Sequence, residues 1–275
     1  MTTVLSREAP HPFALPDGGY RPPLKWAGGK RWLVPTLREM WAGNEKRRLV
    51  EPFCGGLAVV LGLVPERALL NDINPHAINF YAQLKLGLNI KWEMEYDPDR
   101  YYEYRTEFNN LIRKKKANTK RAAELFYYLN RTGYNGLCRF NKQGEYNVPF
   151  GTHSKINYVS NFLPYKEIFK DWQLSCADFQ AIEIETKDFI YADPPYDVPF
   201  TQYSKEGFNW DDQVRLAEWL SKHKGPVVLS NQATEKIIEL YEKLGFNLVY
   251  RDAPRLINCT GNRAKAVEVI ATKRI

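Results

Sequence analysis

The stretch Arg48-Leu-Val-Glu-Pro-Phe-Cys-Gly-Gly56, continued downstream by Ala68-Leu-Leu-Asn-Asp72-Ile-Asn-Pro75, decides the fold. A short apolar run ended by two glycines suits a buried strand, and the apolar residues 57–63 that follow suit a helix. Residues 68–72 read as a second strand. Pro75 lies just inside the start of a helix expected over 75–85, where proline is favoured because the first helical N–H has no intrahelical acceptor. Strand, glycine turn, helix, strand, acidic residue is the order of a nucleotide-binding βαβ sheet, so an α/β, Rossmann-like fold is expected. The turn is not G-x-G-x-x-G and the phosphate-binding loop pattern is missing, so a nucleoside triphosphate is not supported. Gly55 and Gly56 let a backbone approach a ligand closely. Asp72, 16 residues beyond Gly56, can accept both hydroxyls of an adenosyl ribose. The alternative is an ordinary glycine turn with a helix-capping aspartate.

Outward from this unit, a helix is expected over 31–41, after Leu24-Lys-Trp-Ala-Gly-Gly-Lys30. Alternation returns near residue 172, with strands at 187–193 and 226–230, helices at 210–222 and 234–244, and closing strands at 246–250 and 267–272 that can pair antiparallel. The middle differs. Residues 100–130 are helical and strongly charged, and 131–160 are turn-rich, with glycines among Tyr134, Phe140, Tyr146 and Phe150 and with Arg139 and Lys142 interleaved. That pattern suits a hairpin-bearing surface module. An α/β domain is thus interrupted by a basic, aromatic insertion, and residues 1–22, rich in Pro and Gly, are expected to form a flexible arm.

With 275 residues, 44% of them hydrophobic, the chain can bury a sizeable core. Its net charge of +7, isoelectric point near 9.1 and 14% aromatic content favour a polyanionic partner, although charge also serves solubility. Cys54, Cys138, Cys176 and Cys259 form no CxxC pair, so neither a metal site nor a disulfide framework is expected. No run approaches the roughly 18 apolar residues of a membrane span, and the N-terminus lacks the charged and apolar regions of a secretory signal. A cytoplasmic location is the expectation.

Three further motifs can carry chemistry. Asp193-Pro-Pro-Tyr196 ends an apolar strand, and in an open parallel sheet ligands bind beyond the carboxyl ends of strands. The prolines remove two N–H donors, leaving a carboxylate, carbonyl oxygens and an aromatic face. Such acceptors fit a planar ring bearing an exocyclic amine; otherwise Asp193 simply bonds loop amides. In Lys25-Trp-Ala-Gly-Gly-Lys30, Lys30 and the following helix N-terminus can meet a cofactor carboxylate, or the segment is an ordinary helix entry. In Asn130-Arg-Thr-Gly-Tyr-Asn-Gly-Leu-Cys-Arg-Phe-Asn141, Arg139 can grip a guanine edge and Tyr134 can wedge into a base stack, or the segment is a solvated hairpin.

Taken in order, LKWAGGK, EPFCGG, NDIN, NRTGYNGLCRFN with GEYNVPFG, and ADPPY resemble the Dam-type, D12-class (α-ordered) DNA N6-adenine methyltransferases over about residues 24–272. The resemblance implies a Rossmann-like, S-adenosylmethionine-dependent methyltransferase sheet over 23–75 and 161–275, with an inserted helical and β-hairpin target-recognition domain over 76–160. It further implies that Trp26, Lys30, Phe53, Gly55, Asp72 and Asp193 serve the cofactor, and that Asp193, Pro194 and Tyr196 are catalytic and hold a flipped adenine. Lys25, Tyr134, Asn135, Leu137 and Arg139 match positions that contact duplex DNA in relatives recognising GATC. Double-stranded DNA is the implied partner, S-adenosylhomocysteine the product, a monomer the implied state without obligatory protein partner, and the bacterial or phage-infected cytoplasm the setting, as in restriction-modification. No metal is implied. Thr132, His153, Cys54 and the short segment after Tyr196 depart from the usual family pattern.

The chemistry expected is direct transfer. Acceptors at Asp193 and Pro194 localise the amine lone pair for in-line attack on the methyl group, without a covalent enzyme intermediate. The rival readings are an amino-methyltransferase for RNA or protein glutamine, and a DNA-binding module without activity.

Overall fold

Five short apolar segments pair in parallel: β1 (Leu49–Glu51), β2 (Ala68–Asn71), β3 (Trp172–Ser175), β4 (Phe189–Ala192) and β5 (Val227–Gln232). Two longer strands, β6 (Asn247–Ala253) and β7 (Ala266–Lys273), pair antiparallel with each other, and β7 pairs antiparallel with β5. The seven-stranded order is β3-β2-β1-β4-β5-β7-β6, the expected α/β Rossmann-like sheet. This computed structural model describes residues 13–152, 156–196, 208–253 and 266–275.

The central strands are continuously apolar because helices cover both faces. Every residue of β1, β2 and β4 is buried. Neighbours along one strand fall into opposite cores, with Leu49 and Leu70 in one cluster and Val50 and Leu69 in the other, as a two-residue repeat requires. The register Val50↔Leu69 and Val50↔Ile190 brings the carboxyl ends of β1, β2 and β4 to one edge.

The helices are α1 (Val34–Trp41), α2 (Val60–Leu63), α3 (Pro75–Lys85), α4 (Pro98–Arg113), α5 (Lys120–Thr132), α6 (Tyr165–Ile168), α7 (Trp210–Lys222) and α8 (Glu235–Lys243). Their starts follow local chemistry: Asn74 caps α3 by accepting from His76 and Ala77 amides, and Asn209 with Asp212 closes a capping box on α7. Among the described residues no helix is long and apolar enough to cross a membrane.

Two expectations need correction. The arm expected over 1–22 is packed where it is described. Phe13 is buried against Phe162 and Tyr165, and the Tyr20 amide donates to the Leu61 carbonyl at 2.7 Å, so an aromatic anchor overrides the Pro/Gly composition. Residues 1–12 lie outside the described residues, as do His153, the segment after Tyr196, and Cys259. The hairpin expected within 131–160 is reduced to isolated bridges, Gly133↔Phe150 and Phe140↔Tyr146. The Phe140↔Tyr146 pair keeps its two flanking bonds, Asn141 N–H to the Glu145 carbonyl at 2.8 Å and Asn147 N–H to the Arg139 carbonyl at 3.1 Å, and on the outer edge the Asn109 side chain of α4 takes both the N–H and the C=O of Tyr146. The insertion also shares its core with the sheet, since Phe126, Tyr128 and Tyr146 belong to the cluster that holds Leu49 and Leu70.

Candidate active site

A crevice of about 890 Å³ opens at the carboxyl ends of β1, β2 and β4. Glu51 and Phe53 come from the end of β1, Asp72 and Ile73 from β2, Asp178 and Phe179 from the loop after β3, and Asp193, Pro194 and Tyr196 from β4. The crevice is where it is because parallel strands deliver all their carboxyl ends to one edge.

At the first turn, the Gly55 amide donates to Asp72 Oδ2 and the Asn74 amide to Asp72 Oδ1, each at 2.9 Å. Burial raises the Asp72 carboxyl above its ordinary range, while these amides pull it down. The glycines answer mainly to Trp26. A Cβ on Gly55 would lie 2.8 Å from the indole nitrogen, one on Gly56 would lie 2.6 Å from Trp26 Cβ, and Gly55 adopts a positive φ of 43°. Trp26 thus packs where side chains on these glycines would project, while Gly55 and Gly56 themselves line the crevice. Glu51 is buried, its Oε1 has no hydrogen-bond partner, and burial pushes its carboxyl well up. Phe53 packs on Phe179 and edge-on to Phe208, with ring centroids 5.7 and 5.3 Å apart.

At the second turn, Asp193 is held from two sides. Ser230 Oγ, within β5, donates to Asp193 Oδ1 at 2.9 Å, and Tyr191 lies against the same hydroxyl at 2.9 Å. Lys30 Nζ, 4% exposed, lies 3.1 Å from Asp193 Oδ2, 3.6 Å from Glu268 Oε1 and 3.0 Å from the Gly28 carbonyl. The ammonium is therefore already engaged by a backbone carbonyl and two carboxylates. The same ammonium lies 4.8 Å from the centroid of Tyr196, within cation–π range. Burial outweighs Lys30 and pushes the Asp193 carboxyl up to about 6. Burial, Asp193 and Glu268 together keep the Tyr196 phenol protonated. Gln213 Nε2 donates to the Pro195 carbonyl at 2.7 Å and is itself bonded by Asn231.

The segment 25–30 reaches both the crevice and the insertion. Lys25 exchanges backbone bonds with the Asn130 side chain, at 2.8 Å each, and its Nζ donates to the Arg131 carbonyl at 3.0 Å. Its side chain lies on Gly136, where a Cβ would come within 2.3 Å of Lys25 Cβ. Beyond it, Tyr134 and Asn135 are exposed and Leu137 is half-buried. Arg139 donates through Nε and Nη2 to the side chain and carbonyl of Asn147, at 2.7 and 3.0 Å, which fixes the guanidinium plane.

Residues 26–257 match the D12 class N6 adenine-specific DNA methyltransferase family. The chain belongs to that family. The Retron Ec67 DNA adenine methylase of Escherichia coli is 36% identical over 90% of this chain and 90% of its own. The type II methyltransferase M.MjaIII of Methanocaldococcus jannaschii is 33% identical over 89% of this chain and 95% of its own. The DNA adenine methylase of Escherichia coli K12 is 33% identical over 89% of this chain and 92% of its own. Among solved structures, Trm5b of Pyrococcus abyssi aligns with a TM-score of 0.39 at 14% identity, over 93% of this chain and 55% of its own.

In this adenine-specific DNA methyltransferase, the crevice brings Trp26, Lys30, Phe53, Gly55, Asp72, Asp193, Pro194 and Tyr196 together. Lys25, Tyr134, Asn135, Leu137 and Arg139 lie apart from it on the insertion and on the segment that joins the two. Sequence reasoning passed over Glu51, Ser230, Gln213 and Glu268. The signal for Glu51 and Ser230 was present: a polar residue inside an otherwise largely buried strand, in LVE and VVLSNQ.

Proposed function

We propose that the enzyme takes its methyl group from S-adenosylmethionine and delivers it to the N6 amine of an adenine turned out of duplex DNA, within GATC. The observation that carries this reading is the Asp193 carboxylate, fixed by Ser230 and Lys30 beside Tyr196, in one crevice with Glu51 and Asp72.

The crevice residues fit that donor. The orphaned Glu51 Oε1 suits the α-ammonium of its methionine portion. Asp72 has spent one lone pair of each oxygen on backbone amides, and a carboxylate retains capacity for the two ribose hydroxyls. Phe53, Phe179 and Phe208 offer aromatic surface to its adenine. Trp26 supports this turn from beneath Gly55 and Gly56. Lys30 is better placed as counter-ion to Asp193 than as a ligand of the donor's carboxylate. Bound S-adenosylmethionine supplies an electrophilic sulfonium methyl with a neutral leaving group.

The chain's own part is positional and electrostatic. Gln213 occupies the Pro195 carbonyl, so the acceptors left for an exocyclic amine are Asp193 and the Pro194 carbonyl. They draw the nitrogen toward tetrahedral geometry and localise its lone pair. Lys30 covers one face of Tyr196, and the target base stacks on the other. Extracting the base costs a few kcal/mol, of which stacking returns about 1–3 kcal/mol. Residues 76–160 read the duplex, with Tyr134 filling the gap in the stack, Asn135 and Leu137 beside it, Lys25 at the groove edge and Arg139 on a guanine. The enzyme acts as a monomer and uses no metal.

The test is tritiated methyl transfer to matched duplexes containing GATC, GATG or no GAT, with nucleoside analysis. Label in N6-methyladenine with GATC alone is expected. Label in all three removes Arg139 as a base reader, and absence of label removes the duplex substrate.

A further inference from the structure

The turn that closes α4 presents Arg113, Lys114, Lys115 and Lys116, all exposed. The neighbouring cations are paired: Arg113 with Glu145 at 3.4 Å, Lys120 with Glu124 at 3.9 Å, and Arg121 with Glu107 at 2.6 Å. Among the described residues no carboxylate lies within 4.0 Å of Lys114, Lys115, Lys116 or the exposed Lys142. The turn has a defined shape. Lys115 adopts a positive φ of 56°, and the amides of Lys115 and Lys116 donate to Ile112 and Leu111 at 2.9 and 2.8 Å.

Its position is the second observation. The turn lies beside α3, whose Asn79 Nδ2 donates to the Thr119 carbonyl just beyond it at 3.0 Å. A cleft of about 210 Å³ separates Lys115, Ala117 and Asn118 from Pro75 and His76. Helix α3 leaves the sheet immediately after Asp72, at the crevice edge. The same helix start holds the segment bearing Leu137 and Arg139: Asn74 bonds Cys138 Sγ at 3.2 Å, and the His76 ring stacks on Phe140 at 4.8 Å. The crevice edge, the base-reading segment and the lysine turn thus all adjoin α3, with Lys142 in the turn between Phe140 and Tyr146.

We infer that Lys114, Lys115, Lys116 and Lys142 form a phosphate-contacting strip that extends the duplex footprint beyond the recognised base pairs on the Arg139 side. The inference rests on the duplex-DNA reading above. A helix carboxyl terminus attracts cations for its own dipole, but that effect fades beyond the last turn and does not account for Lys142. Lysines act on phosphate as mobile point charges, so the strip adds affinity and register without reading sequence.

The experiment measures duplex binding against salt for wild type, for Lys114→Gln/Lys115→Gln/Lys116→Gln, and for the matching triple arginine variant. Each is tested on a short duplex limited to the recognition site and on a long one. Each phosphate contact contributes about 0.9 to the slope of log affinity against log salt. The glutamine variant is expected to lose about 2–3 from that slope on the long duplex, with little change on the short one, unchanged target base, and recovery by arginine. An unchanged slope on the long duplex overturns the strip, even if the melting temperature falls, because that outcome is a dipole role. Equal losses on both duplexes overturn it as well, since the lysines would then serve the recognition site. A wild-type enzyme without salt-dependent duplex binding overturns the DNA reading itself.

Discussion

Asp188 and Asp193 flank the same four-residue strand, β4, and each faces a buried cation, yet the two ends of the sheet are built differently. At the amino end, Arg48 grips Asp188 through Nε and Nη2 at 3.1 and 2.7 Å, and Asp188 also accepts the Glu185 amide at 2.6 Å. Arg48 further bonds Gln173 and the Glu183 carbonyl, so its fork is satisfied on three sides. At the carboxyl end one ammonium serves two carboxylates, Asp193 and Glu268, and Glu268 Oε2 and Glu51 Oε1 have no hydrogen-bond partner. A buried charge left short of donors is costly, and here the shortage lies around a cavity. The satisfied pair joins the strands, and the under-satisfied group is arranged for a ligand to complete.

The comparison breaks most visibly at Asp193. Asp193→Ala is expected to lower transfer by at least about 10³-fold, some 4 kcal/mol, while DNA binding and the unfolding curve stay near wild type. Single-turnover methylation at a normal rate would remove Asp193 from the chemistry. The amino-end pair should show the reverse. Arg48→Met leaves Asp188 buried and unpaired, at a cost of about 3–5 kcal/mol of stability, with the transfer rate per folded molecule preserved. Urea unfolding together with active-site titration separates the two quantities. If Arg48→Met instead slowed transfer at full stability, the division of labour between the ends would be wrong. Away from both pairs, Arg139→Ala should lose about 1–3 kcal/mol of discrimination at a single guanine. A uniform loss across all sequences would make Arg139 a phosphate contact instead.

The smallest effect sharpens the carboxyl end. Because the Asp193 carboxyl titrates near pH 6, kcat/KM should fall below that pH as the acceptor takes a proton. Stability responds to this group with the opposite sign. A folded carboxyl that binds its proton more tightly than an unfolded one favours folding at acid pH, and loses that contribution as pH rises through about 6. Glu268 is among the neighbours that raise the Asp193 value, so Glu268→Gln should move the activity midpoint downward. An upward shift would mean that Glu268 acts by positioning Lys30 and not through its charge.

Much of the site was legible because its residues are local. Asp193, Pro194 and Tyr196 follow one apolar run, and Asp72 ends another, so strand termination alone puts them at the edge where ligands bind. The role of Lys30 was less legible. A lysine before a helix suggested an anion partner, but its acceptor is Asp193, 163 positions later in the chain. The glycine pair was read for a ligand, and the sequence did not show that Trp26 also packs against it, where side chains there would project. Such pairings depend on which elements the sheet order makes adjacent, and a single sequence does not carry that adjacency.

By itself the sequence determined most of the strands, the start of α3, the crevice edge and the family, because apolar periodicity, a proline in the first helical turn and motif order act over a few neighbouring residues. Only the tertiary structure decided that β7 enters the sheet between β5 and β6, placing Glu268 beside Lys30. It also decided that Asn109 would draw one side of the insertion onto α4 and that Phe13 would pin residues 13–22 to the core. Each outcome is a competition for a hydrogen bond, a charge or an aromatic contact between segments far apart in the chain, and packing settles it.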